Sequence, residues 1–239
     1  MRIILIRHAE PNYEIDSLTQ KGFREAELLA ERVKTWEVDR FFASPLGRAQ
    51  DTASFSLNAC QSEATTLDWL QEFYYQIREE GSEQTRIAWD FMPAYFTKQD
   101  ALHDKDAWMH TPLMQSGDLA KYYEMVGNGL NDILAEYGYQ AEGRGLYAVD
   151  ENAKRDATIV FFCHLGVSFV MLSHLLGIAT PALWQGFFVA PSSVTVVASE
   201  ERIKGEAAFR VQVMGDTRHL YEGNEPISAS GYFTDAFQG

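Results

Sequence analysis

The sequence predicts an α/β fold: a three-layer sandwich with a largely parallel sheet, helices on both faces and an inserted aromatic-rich cap. Three short apolar runs predict the strands, because strands covered on both faces appear in sequence as continuous apolar stretches. Helical patterns follow these runs, and such alternation is typical of a parallel sheet. The length of 239 residues fits one domain spanning residues 1–239.

The first half of the chain begins with a strand, a helix and a second strand. Ile3–Ile6 is the first apolar run, and Phe41–Ala43 is the second. Apolar residues recur at helical spacing over residues 18–36 between them. Ser44 and Pro45 then predict a helix start, as an N-cap and a first-turn proline.

The middle of the chain, about residues 73–155, lacks this alternation and predicts the cap. It holds Trp89, Trp108 and most of the tyrosines. Its clearest element is an amphipathic helix predicted over Leu119–Tyr137.

The last part of the chain returns to the strand and helix pattern. Thr158–Cys163 is the third apolar run, and a predicted helix from about Gly166 to Leu176 ends at Gly177. Thr195–Ser199 and Ala208–Val213 predict a hairpin.

Composition narrows the classes of partner. Twenty Lys and Arg against 34 Asp and Glu give a net charge of −14. That charge repels nucleic acid and anionic membranes, so we expect neither as a partner. Cys60 and Cys163 form neither a disulfide framework nor a zinc-binding pair. The apolar stretches are too short for a signal peptide core or a membrane span, so we expect a cytoplasmic location.

Reactive side chains follow each of the three apolar strands. Arg7 and His8 follow the first, Arg48 lies in the helix after the second, and His164 follows the third. Carboxyl ends of parallel strands share one edge of a sheet, where ligands bind. Guanidinium groups match phosphate oxygens in pairs, and a neutral imidazole is a nucleophile whose pKa nearby Arg charges lower. A carboxylic acid must protonate the leaving oxygen, and Glu72 is the candidate.

The sequence resembles the histidine phosphatase superfamily, also called the phosphoglycerate mutase-like family. The resemblance implies that His8 forms a phosphohistidine, that Arg7, Arg48 and His164 bind the phosphoryl group, and that Glu72 donates the proton. It implies no metal or other cofactor. The segments that carry it are IRHAE at 6–10, DSLTQKGFREAELLA at 16–30, SPLGRAQDTA at 44–53, LQEF at 70–73, FCHLG at 162–166 and, as the expected closing strand, GDTRHL at 215–220.

Three positions depart from the family pattern. Ala9 and Leu165 each follow a site histidine where the family commonly has glycine, and Glu14 stands where mutase-type members have asparagine. The resulting hypothesis is a metal-independent phosphatase acting on a small phosphomonoester. The alternatives are a phosphoglycerate mutase, a fructose bisphosphatase-type enzyme, or a catalytically silent phosphate-binding protein. The substrate depends on the cap, and the sequence does not identify it. The sequence also does not decide whether the protein forms a homodimer.

Overall fold

The structure is a computed structural model that describes residues 1–79 and 81–238, and within them one sheet has eight strands. The strands in chain order are β1 Arg2–Arg7, β2 Pro11–Asn12, β3 Ser17–Leu18, β4 Arg40–Ala43, β5 Ala64–Thr66, β6 Gln76–Arg78, β7 Thr85–Ile87, β8 Tyr139–Gly143, β9 Leu146–Val149, β10 Thr158–Cys163, β11 Val194–Ile203 and β12 Glu206–Asp216. The pairs β2–β3 and β6–β7 form two small separate hairpins.

The helices in chain order are α1 Gln20–Val33, α2 Gly47–Cys60, α3 Pro93–Phe96, α4 Pro112–Gln115, α5 Leu119–Glu136, α6 Leu165–Leu176, α7 Thr180–Gly186 and α8 Arg218–Glu222. Short 3-10 helices cover Asp68–Leu70, Asp100–His103 and Trp108–His110. Among the residues that the structure describes, no helix combines the length and hydropathy needed to cross a membrane.

The large sheet confirms the predicted α/β class. Its strand order is β5-β4-β10-β1-β11-β12-β9-β8. The first four strands are parallel to one another, and β11, β12, β9 and β8 extend the sheet with antiparallel pairs. Arg7 pairs with Cys163, and Phe162 pairs with Ala43. The strands β1, β10 and β4 therefore end side by side at one edge.

Helices cover both faces of the parallel strands, which explains their continuous apolar runs. Successive side chains of a strand point to opposite faces. Ile4 and Ile6 pack with Leu29 of α1 on one face. Ile3 and Leu5 belong to a larger cluster on the other face that includes residues of α5 and α6. Both sets of side chains lose contact with water, so polar residues have no place inside these strands.

The helix after β4 starts later than the sequence predicts. Thr19 caps α1 as its hydroxyl accepts the N–H of Gly22. The prediction that Ser44 caps the next helix is wrong, because α2 begins at Gly47 with Leu46 at the cap. The Ser44 hydroxyl instead contacts His164 and is fully buried.

The helix after β10 agrees with its prediction to within one residue. α6 begins directly after His164 and ends at Gly177, whose φ of 67° is the left-handed conformation that glycine adopts easily. The expected closing strand at 215–220 is wrong beyond Asp216, because β12 ends there and α8 starts at Arg218.

Residues 73–155, the predicted cap, contain the β6–β7 hairpin, short helices and α5 before the chain returns to the sheet. The strands β8 and β9 pair with each other and, through β9, with β12. An aromatic cluster joins this region to the rest of the fold, where Trp108 meets Tyr123 and Trp184 edge to face at 5.2 and 5.8 Å. This cluster packs the region of the predicted cap against α7.

Candidate active site

The ends of β1 and β10 bring two histidines together. His8 follows β1, and its N–H donates to the Cys163 carbonyl at 2.9 Å. His164 follows β10 and precedes α6. The two ring centres lie 5.1 Å apart with planes inclined at 57°, and both side chains are buried. Two neighbouring parallel strands therefore deliver both imidazoles to one point.

The protonation of His8 is set by its own backbone. Its Nδ1 lies 2.8 Å from the carbonyl oxygen of Ala9. A carbonyl only accepts, so the neutral ring carries its hydrogen on Nδ1 and leaves a lone pair on Nε2. Burial lowers the pKa of His8 well below its ordinary value, and the charges of Arg7 and Arg48 lower it further. His8 thus holds a free Nε2 lone pair at neutral pH.

His164 is polarised in the opposite sense. Its Nε2 lies 2.8 Å from the Ser44 hydroxyl, which accepts the N–H of Leu46 and keeps its own hydrogen to donate. The neutral ring then carries its hydrogen on Nδ1, and this buried atom has no partner among the described residues. Burial lowers the pKa of His164 well below its usual range. Electrostatic interactions with His8, Arg48 and Arg7 lower it further. An open N–H donor therefore lies near His8.

Arg7 is held by a backbone carbonyl and by an aromatic ring of the segment before β11. Its Nη1 donates to the Val189 carbonyl at 2.7 Å, and its guanidinium lies 5.2 Å from the centre of the Phe188 ring. Burial lowers the pKa of Arg7. Its Nε is buried and without a partner within the described part of the chain. The guanidinium therefore has donor capacity left for a ligand.

Arg48 is held by Asp16, a residue of the β2–β3 turn. One Asp16 oxygen pairs with the Arg48 guanidinium, and the other accepts the Gly47 N–H at 2.7 Å. A Cβ on Gly47 would lie 2.0 Å from the Asp16 backbone oxygen, so only glycine fits at the start of α2. Asp16 itself has a φ of 47°, a conformation that aspartate tolerates better than most residues. The turn and the helix start thus fix Arg48 together.

Tyr13 connects the two guanidinium groups. Its ring centre lies 5.4 Å from the Arg48 guanidinium, and its hydroxyl interacts with Arg7, where it opposes the lowering of the pKa of Arg7 by burial. The side chain is 65% exposed, so it covers the arginines from the solvent side. Sequence reasoning did not find Tyr13 or Asp16, although Asp16 opens one of the family segments. Nothing in the local pattern shows that this turn folds back onto α2.

The side chain of Glu72 lies against the first turn of α6. Its carboxyl accepts the N–H groups of Phe73 at 2.6 Å, Val167 at 3.1 Å and Gly166 at 3.2 Å. Burial raises the pKa of Glu72, against these hydrogen bonds and the charge of Arg7. A carboxyl that retains its proton more readily than usual therefore lies against the first turn of α6, which begins directly after His164.

The two departures after the histidines introduce no backbone strain. Ala9 is not among the described residues with positive φ, and its N–H donates to Thr52 Oγ1 at 2.9 Å. Leu165 is the first residue of α6 and is 7% exposed. Neither position requires glycine conformationally. The structure brings together all five predicted residues: Arg7, His8, Arg48, Glu72 and His164.

Comparison with known sequences agrees with the motifs. The model of the histidine phosphatase superfamily (branch 1) matches residues 3–107. A probable phosphoglycerate mutase of Proteus mirabilis (strain HI4320) is 32% identical over 89 residues, which are 34% of this chain and 41% of the relative. The match thus spans less than half the length of that relative. Both matches support the resemblance to this family that the motifs predict.

Solved structures share the fold at low sequence identity. A phosphoserine phosphatase mutant from Entamoeba histolytica, bound to phosphoserine, has a TM-score of 0.59, 20% identity and coverage of 92% of this chain and 98% of its own. A mycobacterial glucosyl-3-phosphoglycerate phosphatase with inorganic phosphate has a TM-score of 0.59 and 18% identity, and the match covers 91% of this chain and 98% of that one. The alpha-ribazole phosphatase from Shigella flexneri has a TM-score of 0.56 and 20% identity, and the match covers 91% of this chain and 97% of that one. At this identity the likeness establishes the fold alone.

Proposed function

From its resemblance to the histidine phosphatase superfamily, we propose that this protein is a metal-independent phosphatase that hydrolyses a small phosphomonoester through a phosphohistidine at His8. The observation that carries the proposal is the state of His8. Its Nδ1 hydrogen faces the Ala9 carbonyl, and its Nε2 lone pair is free beside two arginines. Neutral imidazole is the nucleophilic form.

The first chemical step transfers the phosphoryl group to His8. Nε2 forms a bond to phosphorus while the bond from phosphorus to the ester oxygen breaks. Glu72 gives its proton to that oxygen, so the leaving group departs as an alcohol. In the second step water attacks phosphorus and the phosphorus–nitrogen bond breaks. The carboxylate of Glu72 takes the proton from the water, and inorganic phosphate leaves.

The other site residues stabilise the phosphoryl oxygens during both steps. Arg7 and Arg48 stay charged and supply donors, and the Nδ1–H of His164 supplies another. Phosphoryl transfer depends mainly on positioning and on charge stabilisation, which these groups provide without reorganising. The Asp16 and Tyr13 contacts supply that rigidity.

The test is to trap the covalent intermediate. The protein is incubated with 4-nitrophenyl phosphate in the presence of a chelator, quenched and digested. We expect phosphate release and an acid-labile phosphoryl group on the peptide that contains His8. His8→Ala should lose both, while the exposed His103→Ala serves as the control and should retain both. Full turnover by His8→Ala would refute the nucleophile assignment.

The Proteus mirabilis relative keeps a mutase activity as the second candidate. A mutase passes the phosphoryl group to an acceptor instead of water. Glu14 counts against this, because an exposed carboxylate where mutase-type members carry asparagine repels a phosphorylated acceptor. Adding 3-phosphoglycerate to the active phosphoenzyme before the quench separates the two: a phosphatase releases inorganic phosphate, and a mutase forms a bisphosphorylated product.

The substrate panel follows from the relatives. Phosphoserine and 3-phosphoglyceric acid, which occur in complexes of the Entamoeba histolytica enzyme, are the first alkyl phosphates to test. Binding of phosphate analogues without turnover of any ester would favour the silent binding protein. A comparison of kcat/KM across the panel identifies the substrate class.

A further inference from the structure

Trp89 lies next to Glu72 and has an unpaired donor. It follows β7, the second strand of the hairpin that begins after Glu72. The hairpin therefore brings Trp89 back to the side chain of Glu72. Its side chain is partly buried and packs on the main core. The indole Nε1 is buried and has no hydrogen-bond partner among residues 1–79 and 81–238. Buried N–H groups are nearly always paired, so this one requires an explanation.

Gly166 shows how close the indole and the carboxyl are. A Cβ built on this glycine would lie 2.8 Å from Trp89 Nε1 and 2.7 Å from Glu72 Oε1. Both groups therefore reach the same side of the first turn of α6. The charged or titratable groups that face Glu72 from the neighbouring strands are Arg7 of β1 and Cys163 of β10.

The hydrogen bonds of Glu72 leave one acceptor position open. Oε1 accepts two N–H groups, from Phe73 and Val167, and Oε2 accepts one, from Gly166. A carboxylate has about four lone-pair positions, two on each oxygen. The proton of the neutral acid therefore sits on Oε2. Once that proton leaves, Oε2 has a free lone pair and no described donor to fill it.

We propose that Trp89 is a positioning residue for proton transfer, whose indole N–H donates to Glu72 Oε2 after Glu72 has given its proton to the leaving group. The inference rests on the proposed phosphatase function. Trp89 transfers no proton itself. It stabilises the carboxylate between the two steps, until the attacking water returns a proton to Oε2. Its ring also keeps bulk water away from the neutral acid.

The basic limb of the pH profile reports loss of the Glu72 proton. Removing only the indole N–H of Trp89 and removing its whole ring should shift this limb in opposite directions. Trp89→Phe keeps the ring and removes the N–H, so the carboxylate loses a donor and the limb moves up by about one pH unit. Trp89→Ala admits water, which solvates the carboxylate and moves the limb down. The profile is measured as kcat/KM for glycerol 2-phosphate, an alkyl ester.

The leaving group provides a second measurement. Alkoxides need protonation, whereas 4-nitrophenolate departs without it, so Trp89→Phe should slow glycerol 2-phosphate hydrolysis more than 4-nitrophenyl phosphate hydrolysis. Trp69→Phe is the matched control, because that partly buried indole lies against Gly129 of α5, and its profile should match the wild type. Glu72→Gln should abolish the limb.

The outcomes separate this inference from the proposed function. If both Trp89 variants shift the limb in the same direction, or neither shifts it while Glu72→Gln abolishes it, the role of Trp89 is refuted and the phosphatase stands. If the limb persists in Glu72→Gln, Glu72 is not the acid and both assignments to Glu72 fall. If the wild type hydrolyses neither ester, the proposed function itself fails.

Discussion

The carboxyl of Glu25 provides a sharp test of the electrostatics behind the site. Glu25 lies on α1 with a fully buried side chain. Its Oε2 accepts the backbone N–H of Glu10, two residues after the nucleophile, at 2.8 Å, and its Oε1 has no hydrogen-bond partner within the described residues. Lys21 is 3.9 Å away. Burial raises the pKa of Glu25 to about 7.

This pKa predicts how stability depends on pH. A folded-state pKa above the unfolded value means that the folded protein favours the protonated acid. The contribution is therefore complete below the unfolded pKa of about 4.3 and is lost as pH rises to about 7. A difference of about 2.7 units, at about 1.4 kcal/mol each, makes the full loss about 3.7 kcal/mol, of which about 3 kcal/mol falls between pH 4.5 and pH 8. Glutamine cannot ionise, so Glu25→Gln avoids it.

The assay is urea unfolding of the wild type and of Glu25→Gln at pH 4.5 and pH 8. We expect the variant to gain about 3 kcal/mol over the wild type on going from pH 4.5 to pH 8. Glu27→Gln is the control, because Glu27 lies on the exposed face of the same helix with 51% of its side chain accessible. Its difference from the wild type should vary little with pH. An equal response of the two variants would show that burial does not raise the pKa of Glu25.

Two further predictions concern the site itself. Because the pKa of His8 lies well below 6.5, the acidic limb of kcat/KM should fall below pH 6.5, and a limb centred at or above that value would contradict the neutral nucleophile. Arg48→Ala should lower kcat for 4-nitrophenyl phosphate by about 10³-fold. Arg48→Lys should recover part of this loss, and an unchanged rate in the alanine variant would remove Arg48 from the site.

The parts of the site that follow strands could be predicted from the sequence. The apolar run of β1 is followed by Arg7 and His8, and β10 ends directly before His164, so strand position and chemistry are encoded in neighbouring residues. Parallel pairing then aligns the ends of these strands without further information. For this reason the sequence predicts that His8 and His164 lie together.

The supporting contacts could not be predicted because they depend on turns. Asp16, which pairs with Arg48, has a positive φ, and no periodic pattern in the sequence signals that conformation. The sequence predicts Ser44 as a helix cap, but its hydroxyl lies against His164, because the helix starts at Gly47, two residues later than predicted. Trp89 reaches Glu72 through the β6–β7 hairpin, which residue spacing did not predict.

The overall charge and the site charge act in opposite directions on a phosphate ester. A net charge of −14 repels the dianion over the distance at which exposed charges act, roughly 8 Å at physiological salt. Arg7 and Arg48 are both buried, so salt screens them less than it screens surface carboxylates. Asp16 neutralises part of the charge of Arg48, whereas Arg7 is held by a neutral carbonyl and a ring. Arg7 is therefore the stronger source of attraction for a bound phosphoryl group, and added salt should weaken the repulsion on approach more than the binding itself.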